Sequence, residues 1–224
     1  MLNSVVAIDG PSASGKSSVS REAARQLGWI YVDSGALYRG VTWQLQRMGC
    51  DTNDVPTVCR LLPDIKFEFT LKNNVVNFAV NGEDPGQALR SAAVRDQVSP
   101  VAAVPEVRAL VVDLLRGLLR LGCLVMEGRD IGTVVFPRAL VKIFLDADPA
   151  ERARRRHSEI VTQAEAVDLA AVGDALRRRD ALDSSRTVAP LRVAGDALVL
   201  DTTAMTMDEV VAQVVAQVRR AGAV

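Results

Sequence analysis

Short apolar runs alternate with helical periodicity along the first part of the chain. Residues 5–8 form an apolar run that ends at Asp9, as expected of a buried parallel strand. Apolar residues then recur every four positions, which predicts a helix over 16–27. A second strand is predicted over 29–32 and a second helix over 35–48. Strand, helix and strand within about 30 residues form a βαβ unit, so the pattern predicts an α/β fold with a parallel sheet.

The middle of the chain changes to strict alternation of apolar and polar residues. The alternation covers 67–71 and 76–80, and Lys72-Asn73-Asn74 separates the two segments. This arrangement predicts an antiparallel hairpin, and a hairpin inside a βαβ protein indicates an inserted subdomain. Residues 87–121 are predicted to be largely helical, with interruptions at Pro100 and Pro105.

The last third returns to the first pattern after a polar interruption. Residues 151–186 are rich in Arg and Asp, which makes this segment too charged for a core and predicts a mobile helical flap. Thr206 and Glu209 have the spacing of a capping box at the start of a terminal helix. Further strands are predicted over 123–126, 141–145 and 197–200.

Composition excludes several classes of protein. The chain has 224 residues, 49% of them hydrophobic and 24% charged, which is typical of a folded domain. No apolar run is long enough to span a membrane, and no secretory signal is visible, so we expect a cytoplasmic protein without membrane partners. Three Cys without C-x-x-C spacing and a single His argue against a disulfide framework or a zinc site.

The charge balance argues against non-specific nucleic-acid binding, because 27 basic residues face 27 acidic ones. Only four of the 27 basic residues are Lys, which leaves 23 Arg. Genomic codon bias explains such a preference, and so does phosphate binding, since the Arg guanidinium binds phosphate with two parallel hydrogen bonds.

A phosphate-binding loop follows the first predicted strand. Residues 10–17 match G-x-x-x-x-G-K-[ST], with a strand before the motif and a helix after it. The glycines allow the backbone to wrap phosphates, and the helix N-terminus favours an anion. Lys16 is expected to reach the terminal phosphates of a nucleoside triphosphate and Ser17 to ligate Mg²⁺.

The loop alone does not decide the reaction. The chain lacks the N-K-x-D motif that a GTPase uses to bind guanine. Asp146 ends the strand predicted over 141–145, where it either directs magnesium or simply ends the strand; the interrupting Lys142 favours the second interpretation.

Two polar clusters follow other predicted strands, at the edge of the sheet where ligands bind in open α/β folds. In the segment 33–39, Ser34 and Arg39 can hold a second phosphate; a helix cap made by Ser34 is the alternative. In the segment 127–130, a Gly allows close approach while an Arg and an Asp project beyond the sheet. A tight turn with a surface ion pair is the alternative there.

The third cluster runs from Arg179 to Arg186. The spacing of four and three places Arg179, Asp183 and Arg186 on one helix face, which is either a binding face or merely a solvated one. G-P-S-A-S-G-K-S, D-S-G-A-L-Y-R, G-R-D-I-G-T-V-V-F-P, K-I-F-L-D-A and R-D-x-x-D-x-x-R occur in this order. In these motifs the chain resembles the bacterial cytidylate kinases, a family of phosphate-loop nucleoside monophosphate kinases, over nearly its whole length.

The resemblance implies a reaction in which ATP and CMP or dCMP give ADP and CDP or dCDP with Mg²⁺. The alternatives are a kinase for UMP or AMP and a nucleotide-dependent switch with slow hydrolysis. The resemblance also implies a phosphate-loop core with a parallel sheet, a monophosphate-binding insert and a lid. We expect a monomer with core segments at 1–35, 111–150 and 187–224, the insert at 36–110 and the lid with its following helix at 151–186.

The resemblance further assigns site residues. It implies that the ATP phosphates are held by Gly10, Pro11, Ser12, Ala13, Ser14, Gly15, Lys16, Ser17 and Ser18. The flap over ATP contains Arg154, Arg155 and Arg156, of which Arg156 is assigned to ATP. The CMP phosphate is assigned to Arg39, Arg129 and Arg186 with Ser34 and Tyr38, the ribose to Arg179 and Asp183, and cytosine to Ser99, Arg108 and Asp130. The catalytic residues implied are Lys16, Arg129, Asp130 and Arg186.

One position departs from the family. The family often has Asp where this chain has Glu127, directly before G-R-D. The longer carboxylate can shift a supporting hydrogen bond, so Glu127 is not included in the predicted site.

Overall fold

The computed structural model describes residues 4–161 and 168–222, and its strands form a single sheet. The strands are β1 (Val5–Asp9), β2 (Ile30–Asp33), β3 (Phe67–Lys72), β4 (Val75–Val80), β5 (Leu124–Gly128), β6 (Val141–Asp146) and β7 (Leu198–Asp201). Their order across the sheet is β3-β4-β2-β5-β1-β6-β7. All neighbouring pairs are parallel except β3 with β4, so the α/β prediction is confirmed.

Helices lie between the strands along the chain. They are α1 (Lys16–Leu27), α2 (Ser34–Arg47), α3 (Val55–Leu61), α4 (Ala92–Ala103), α5 (Pro105–Gly117), α6 (Pro149–Val161), α7 (Leu169–Ser185) and α8 (Met207–Arg220). A capping box between Thr206 and Glu209 starts α8, as predicted. Among the described residues, no helix is long and apolar enough to cross a membrane.

The core lies on both faces of the sheet because alternate residues of a strand point to opposite sides. In β1, Val5 and Ala7 join a hydrophobic cluster that includes α2, α4 and α5. Val6 and Ile8 join a second cluster that includes α1 and α8. All five residues of β1 are buried, which explains why the four that precede Asp9 form an uninterrupted apolar run.

The strand ends bring three polar segments to one edge of the sheet. In register, Asp9 lies beside Gly128, and Asp33 lies beside Glu127. The phosphate loop after β1, the start of α2 after β2 and the turn after β5 therefore meet at this edge. Parallel pairing, rather than proximity in the sequence, assembles the site.

The predicted hairpin is confirmed and continues the main sheet. Strands β3 and β4 pair antiparallel, and Asn73 and Asn74 both have positive φ, at 51° and 56°, as a two-residue type I′ turn requires. Tyr31 of β2 pairs with Val75 of β4, so the hairpin adds two strands to the sheet edge. The boundaries predicted for the core segments, the insert and the lid stay a prediction.

Two other expectations differ from the structure. Pro105 begins α5, but Pro100 lies inside α4 without interrupting it. Because Pro100 is exposed, water can solvate the carbonyl that loses its partner. The segment 151–186 is helical and also has a small apolar cluster of its own, formed by Ala153, Ile160, Val172 and Leu176. Positions 162–167 of that segment lie outside the described residues.

Candidate active site

A cleft of about 690 Å³ opens at the carboxyl edge of the parallel strands. The end of β2, the turn after β5, the phosphate loop, α4, α5 and the pair α6–α7 all contribute to its lining. The structure brings all ten predicted substrate-binding residues to this cleft: Ser34, Tyr38, Arg39, Ser99, Arg108, Arg129, Asp130, Arg179, Asp183 and Arg186. The predicted residues Lys16, Ser12, Ala13, Gly15, Ser17, Ser18 and Arg156 line it as well.

The phosphate loop wraps the foot of the cleft. Gly10 passes so close to β6 that a Cβ atom would lie 2.1 Å from the carbonyl oxygen of Leu145. Gly15 adopts the left-handed conformation, with φ of 88°, directly before α1. Gly10, Pro11 and Ser14, which were also predicted to hold the ATP phosphates, do not line the cleft.

Lys16 is held in an electropositive, buried position. Its Nζ donates a hydrogen bond to the carbonyl oxygen of Pro11, 2.7 Å away. Burial, followed by the nearby positive charge of Arg129, lowers the pKa of Lys16 to about 7. A polyphosphate bound at the loop would supply the negative charge that balances the buried ammonium of Lys16.

Glu127, left outside the predicted site, lies in the cleft beside the phosphate loop. Its Oε2 accepts a hydrogen bond from Ser17 Oγ at 2.8 Å, and its Oε1 accepts one from the Tyr31 hydroxyl at 2.5 Å. Burial first, and then Asp33, raise the pKa of Glu127. The sequence carried a signal for it, because Glu127 lies one residue before the end of β5, at the edge of the sheet where the phosphate loop follows β1.

The start of α2 is fixed by Asp33 rather than by Ser34. Asp33 accepts a hydrogen bond from the backbone N–H of Ala36 at 3.0 Å and pairs with Arg39 at 2.7 Å. Ser34 Oγ instead donates to the carbonyl oxygen of Glu127 at 2.6 Å. The interpretation of Ser34 as the helix cap is therefore wrong, because its side chain joins the start of α2 to β5.

Arg108 and Asp130 form a buried ion pair between α5 and the turn after β5, each side chain at most 4% exposed. Arg108 also donates to the carbonyl oxygen of Ala102 at 3.1 Å. The alternative of a surface ion pair after β5 is therefore wrong. Isolated buried charges are strongly disfavoured, so the ion pair and its hydrogen bonds keep both side chains in place.

Arg129 and the end of α7 meet at the centre of the cleft. Asp183 accepts hydrogen bonds from Arg129 Nε, at 2.8 Å, and from Arg186 Nη2. Burial opposes ionisation of Asp183, but Arg129, Arg186 and Arg179 together outweigh it and lower its pKa. Burial and Arg129 lower the pKa of Arg179 to about 10. Three guanidinium groups around one carboxylate leave this region with excess positive charge.

Buried donors without partners are concentrated in the cleft. Four arginine Nε atoms and the Tyr38 hydroxyl are buried and have no hydrogen-bond partner within 4–161 and 168–222. Buried polar groups are nearly always hydrogen-bonded in folded proteins, so such a group of donors indicates a ligand rich in acceptors. The four arginines are Arg39, Arg108, Arg179 and Arg186.

Helices α6 and α7 lie beside the phosphate loop, and we call this pair of helices the helical arm. Arg152 of α6 pairs with Asp180 of α7 and donates to the carbonyl oxygen of Ser12 at 3.2 Å. Asp180 also accepts from the backbone N–H of Ser12 at 3.3 Å. Neither residue was predicted from the sequence, although Asp180 lies inside the motif R-D-x-x-D-x-x-R.

The three consecutive arginines of α6 have different surroundings. Arg154 is exposed and pairs with Glu151. Arg155 donates to the side chain and the carbonyl oxygen of Thr202, at 3.0 and 2.7 Å. Arg156 pairs with Glu159 and lines the cleft. Position therefore favours Arg156 as the nucleotide-facing residue of the three.

Two aspartates at strand ends support the fold of the site. Asp146 is exposed, accepts from the N–H of Ala147 at 2.9 Å and does not line the cleft, which favours its interpretation as a strand-end residue. Asp9 is buried and accepts from the N–H groups of Ile131 and Gly132, both at 2.8 Å. Burial raises the pKa of Asp9 to about 6. Asp9 thus fixes the turn that carries Asp130, a role the sequence analysis missed.

A mostly parallel sheet with a phosphate loop directly after an inner strand, here β1, defines an α/β phosphate-loop protein. The family model for cytidylate kinase matches residues 6–220. The chain therefore belongs to the cytidylate kinase family.

Individual relatives agree with this assignment. The chain is 45% identical to a cytidylate kinase of Mycobacterium leprae (strain Br4923) over 226 aligned positions, 100% of both chains. It is 46% identical over 217 residues to a bifunctional pantoate ligase/cytidylate kinase of Synechococcus sp. (strain RCC307); this aligned region covers 96% of the chain and spans 42% of that protein. The crystal structure of an uncharacterized protein from Eubacterium ventriosum covers 97% of this chain and 99% of its own, with a TM-score of 0.52 and 9% identity, and supports the fold alone.

Proposed function

We propose that this protein is a cytidylate kinase that transfers the γ-phosphoryl group of ATP to CMP or dCMP and releases ADP with CDP or dCDP. The observation that carries the proposal is the set of buried, unpartnered donors in the cleft, four arginine Nε atoms and the Tyr38 hydroxyl. Such a site fits a ligand with phosphate, ribose and base acceptors. Membership of the cytidylate kinase family selects the reaction. A cytoplasmic location, a monomeric state and the lack of a nucleic-acid partner remain predictions.

The two substrates would occupy opposite ends of the cleft. The backbone of the phosphate loop and Lys16 would hold the ATP phosphates, with Arg156 above them. Arg39, Arg129 and Arg186 would hold the CMP phosphate beside Ser34 and Tyr38. Arg179 and Asp183 would contact the ribose, and Ser99, Arg108 and Asp130 would contact cytosine.

The chain's own groups act by position and charge. Phosphoryl transfer needs little covalent help from a protein, because charge is spread over the transferred oxygens. Lys16, Arg129 and Arg186 would stabilise that charge without reorganising, since burial and hydrogen bonds already fix them. Holding the two nucleotides in line accounts for the remainder of the rate.

The residues at the foot of the cleft fit Mg²⁺. This ion prefers oxygen ligands and is commonly held by one or two protein groups together with phosphates and water. Ser17 Oγ donates its single proton to Glu127, so its lone pairs are free to face a cation. No cluster of three or more His, Cys, Asp or Glu suited to a metal occurs within 4–161 and 168–222. Bound Mg²⁺ would neutralise phosphate charge.

A coupled assay of ADP release tests the reaction. The purified protein is given ATP and one of CMP, dCMP, UMP, AMP or GMP. We expect CMP and dCMP to stimulate ADP release far more than the other three. Preference for UMP or AMP would indicate a different monophosphate kinase, and release that ignores every monophosphate would indicate a switch.

A single substitution tests the phosphate-loop mechanism. Lys16→Ala removes a preorganised charge from the transferred phosphoryl group, and we expect kcat to fall by about 10²–10³-fold. Lys72→Ala, at an exposed lysine outside the cleft, is the matched control. Near-normal turnover in a folded Lys16→Ala protein would contradict the mechanism.

A further inference from the structure

A buried carboxylate at the edge of the sheet is held by hydroxyl groups from two other elements. Glu127, at the end of β5, is 3% exposed. Ser17 of α1 donates to its Oε2, and Tyr31 of β2 donates to its Oε1. Because each carboxylate oxygen accepts from a different hydroxyl, the plane of the carboxylate has a defined orientation.

Tyr31 is itself fixed on every side. Its backbone pairs with Val125 of β5, and its N–H donates to the carbonyl oxygen of Asn74 at 2.8 Å. The guanidinium carbon of Arg21 lies 4.5 Å from the centre of the Tyr31 ring. The ring packs in the hydrophobic cluster that includes α1 and α8, yet Tyr31 also lines the cleft. The residue therefore connects the core to the site.

The hydroxyl of Tyr31 determines what remains available to Ser17. A serine hydroxyl has one proton and two lone pairs. When the proton goes to Glu127, the lone pairs are left for a ligand in the cleft. If the Tyr31 hydroxyl did not donate to Oε1, the carboxylate could rotate and either of its oxygens could accept the proton of Ser17. The direction of the Ser17 proton would then no longer be defined.

We propose that Tyr31 is a positioning residue that orients Glu127 and, through it, the hydroxyl of Ser17. The inference rests on the proposed kinase reaction. It also explains how a chain with the longer Glu at this position keeps a defined geometry: the tyrosine hydroxyl closes against the second carboxylate oxygen.

The test is Tyr31→Phe, which removes one hydroxyl and keeps the ring. We expect kcat to fall about tenfold, the size of a lost hydrogen bond to a charged group, while KM for CMP stays within about twofold. Ile30→Val, in the same buried strand, is the matched control for a slightly loosened core. Urea unfolding shows whether each variant is folded.

A double-mutant cycle separates positioning from packing. In a Glu127→Gln background, we expect Tyr31→Phe to have little further effect on kcat, because the carboxylate that it orients is gone. If Tyr31→Phe does not fold, Glu127→Asp, one methylene too short to span both hydroxyls, supplies the same comparison.

Calorimetric titration with ADP gives a readout that does not depend on turnover. With EDTA, Tyr31→Phe should bind ADP as the wild type does. With MgCl₂, the affinity of Tyr31→Phe for ADP should rise less than that of the wild type.

The inference is overturned by wild-type kcat and ADP binding in Tyr31→Phe, by an equal loss in the Glu127→Gln background, or by the same losses in Ile30→Val. If the wild type shows no CMP-dependent ADP release, the proposed function fails, and the titration still decides the role of Tyr31.

Discussion

The two sides of the cleft are held in different ways. On the strand side, the site residues follow β1, β2 and β5, whose side chains belong to the two large hydrophobic clusters. The helical arm has only four buried apolar residues, which pack against Ala13 of the phosphate loop. It is also linked to the body by hydrogen bonds, such as those of Arg152 and Asp180 to the backbone of Ser12. The strand side is therefore preorganised, whereas the arm can change its position at lower cost.

The carboxyl groups of the two sides show the same contrast. Burial raises the pKa values of Asp9 and Glu127 on the strand side. On the arm, a hydrogen bond from Arg154 lowers the pKa of the half-buried Glu151. Asp9 and Glu127 stay in an unfavourable environment because the packing around them is strong, a common feature of functional sites.

Removing one partner of an ion pair on each side is the strongest test of this contrast. Asp130→Ala leaves Arg108 buried and unpaired, and we expect a loss of about 3–5 kcal/mol in the free energy of unfolding. Asp180→Ala leaves a more exposed Arg152, 10% exposed against 3% for Arg108, and should cost about 1–3 kcal/mol. Urea unfolding measures both.

The exposed pair of Asp174 with Arg177 on α7 provides the control. Asp174→Ala should change the free energy of unfolding by no more than about 0.5 kcal/mol. Equal losses in Asp130→Ala and Asp180→Ala would mean that the arm is as firmly integrated as the strand side.

The strand side is also the part that the sequence predicted best. Local patterns determine the phosphate loop, the apolar run of β1 and the Asn73-Asn74 turn, so these were predicted correctly. The bond of Ser34 to β5, which leaves Asp33 as the helix cap, and the continuation of the sheet by the hairpin are tertiary contacts and were not. The partners of Arg152 and Asp180 depend on how two helices dock, which periodicity does not contain.

The pH dependence of stability sharpens the comparison at Asp9. Its pKa in the folded protein is about 6 against an ordinary value of 3.8. A raised carboxyl pKa means that the folded state binds the proton more tightly, so this stabilisation is full below pH 3.8 and is lost as pH rises through 6. The difference corresponds to at most about 3 kcal/mol.

Asp9→Ala isolates this contribution, because it removes the titrating group while its packing cost is the same at every pH. The groups that face Asp9 are the N–H groups of Ile131 and Gly132, Asp130 and Lys16. We expect the cost of Asp9→Ala in the free energy of unfolding to be larger at pH 5 than at pH 7.5. Asp174→Ala should show no such change, and a cost for Asp9→Ala that does not vary with pH would contradict the assignment.

Hydrogen exchange tests the smallest effect, the adjustment of the arm to its ligands. Few apolar contacts hold α6 and α7, so their amides should open often without nucleotides. Bound phosphates would add contacts to Arg156 and Arg179 and exclude water, so we expect exchange in the arm to slow about tenfold or more with CMP and a non-hydrolysable ATP analogue. Amides of β1 and β5 should change little, because they are fully buried in the sheet. Added salt should speed exchange in the nucleotide-free arm, since it weakens the ion pairs of Arg152 with Asp180 and of Arg129 with Asp183. Exchange in α6 and α7 that is equally slow with and without nucleotides would show that both sides of the cleft are preorganised.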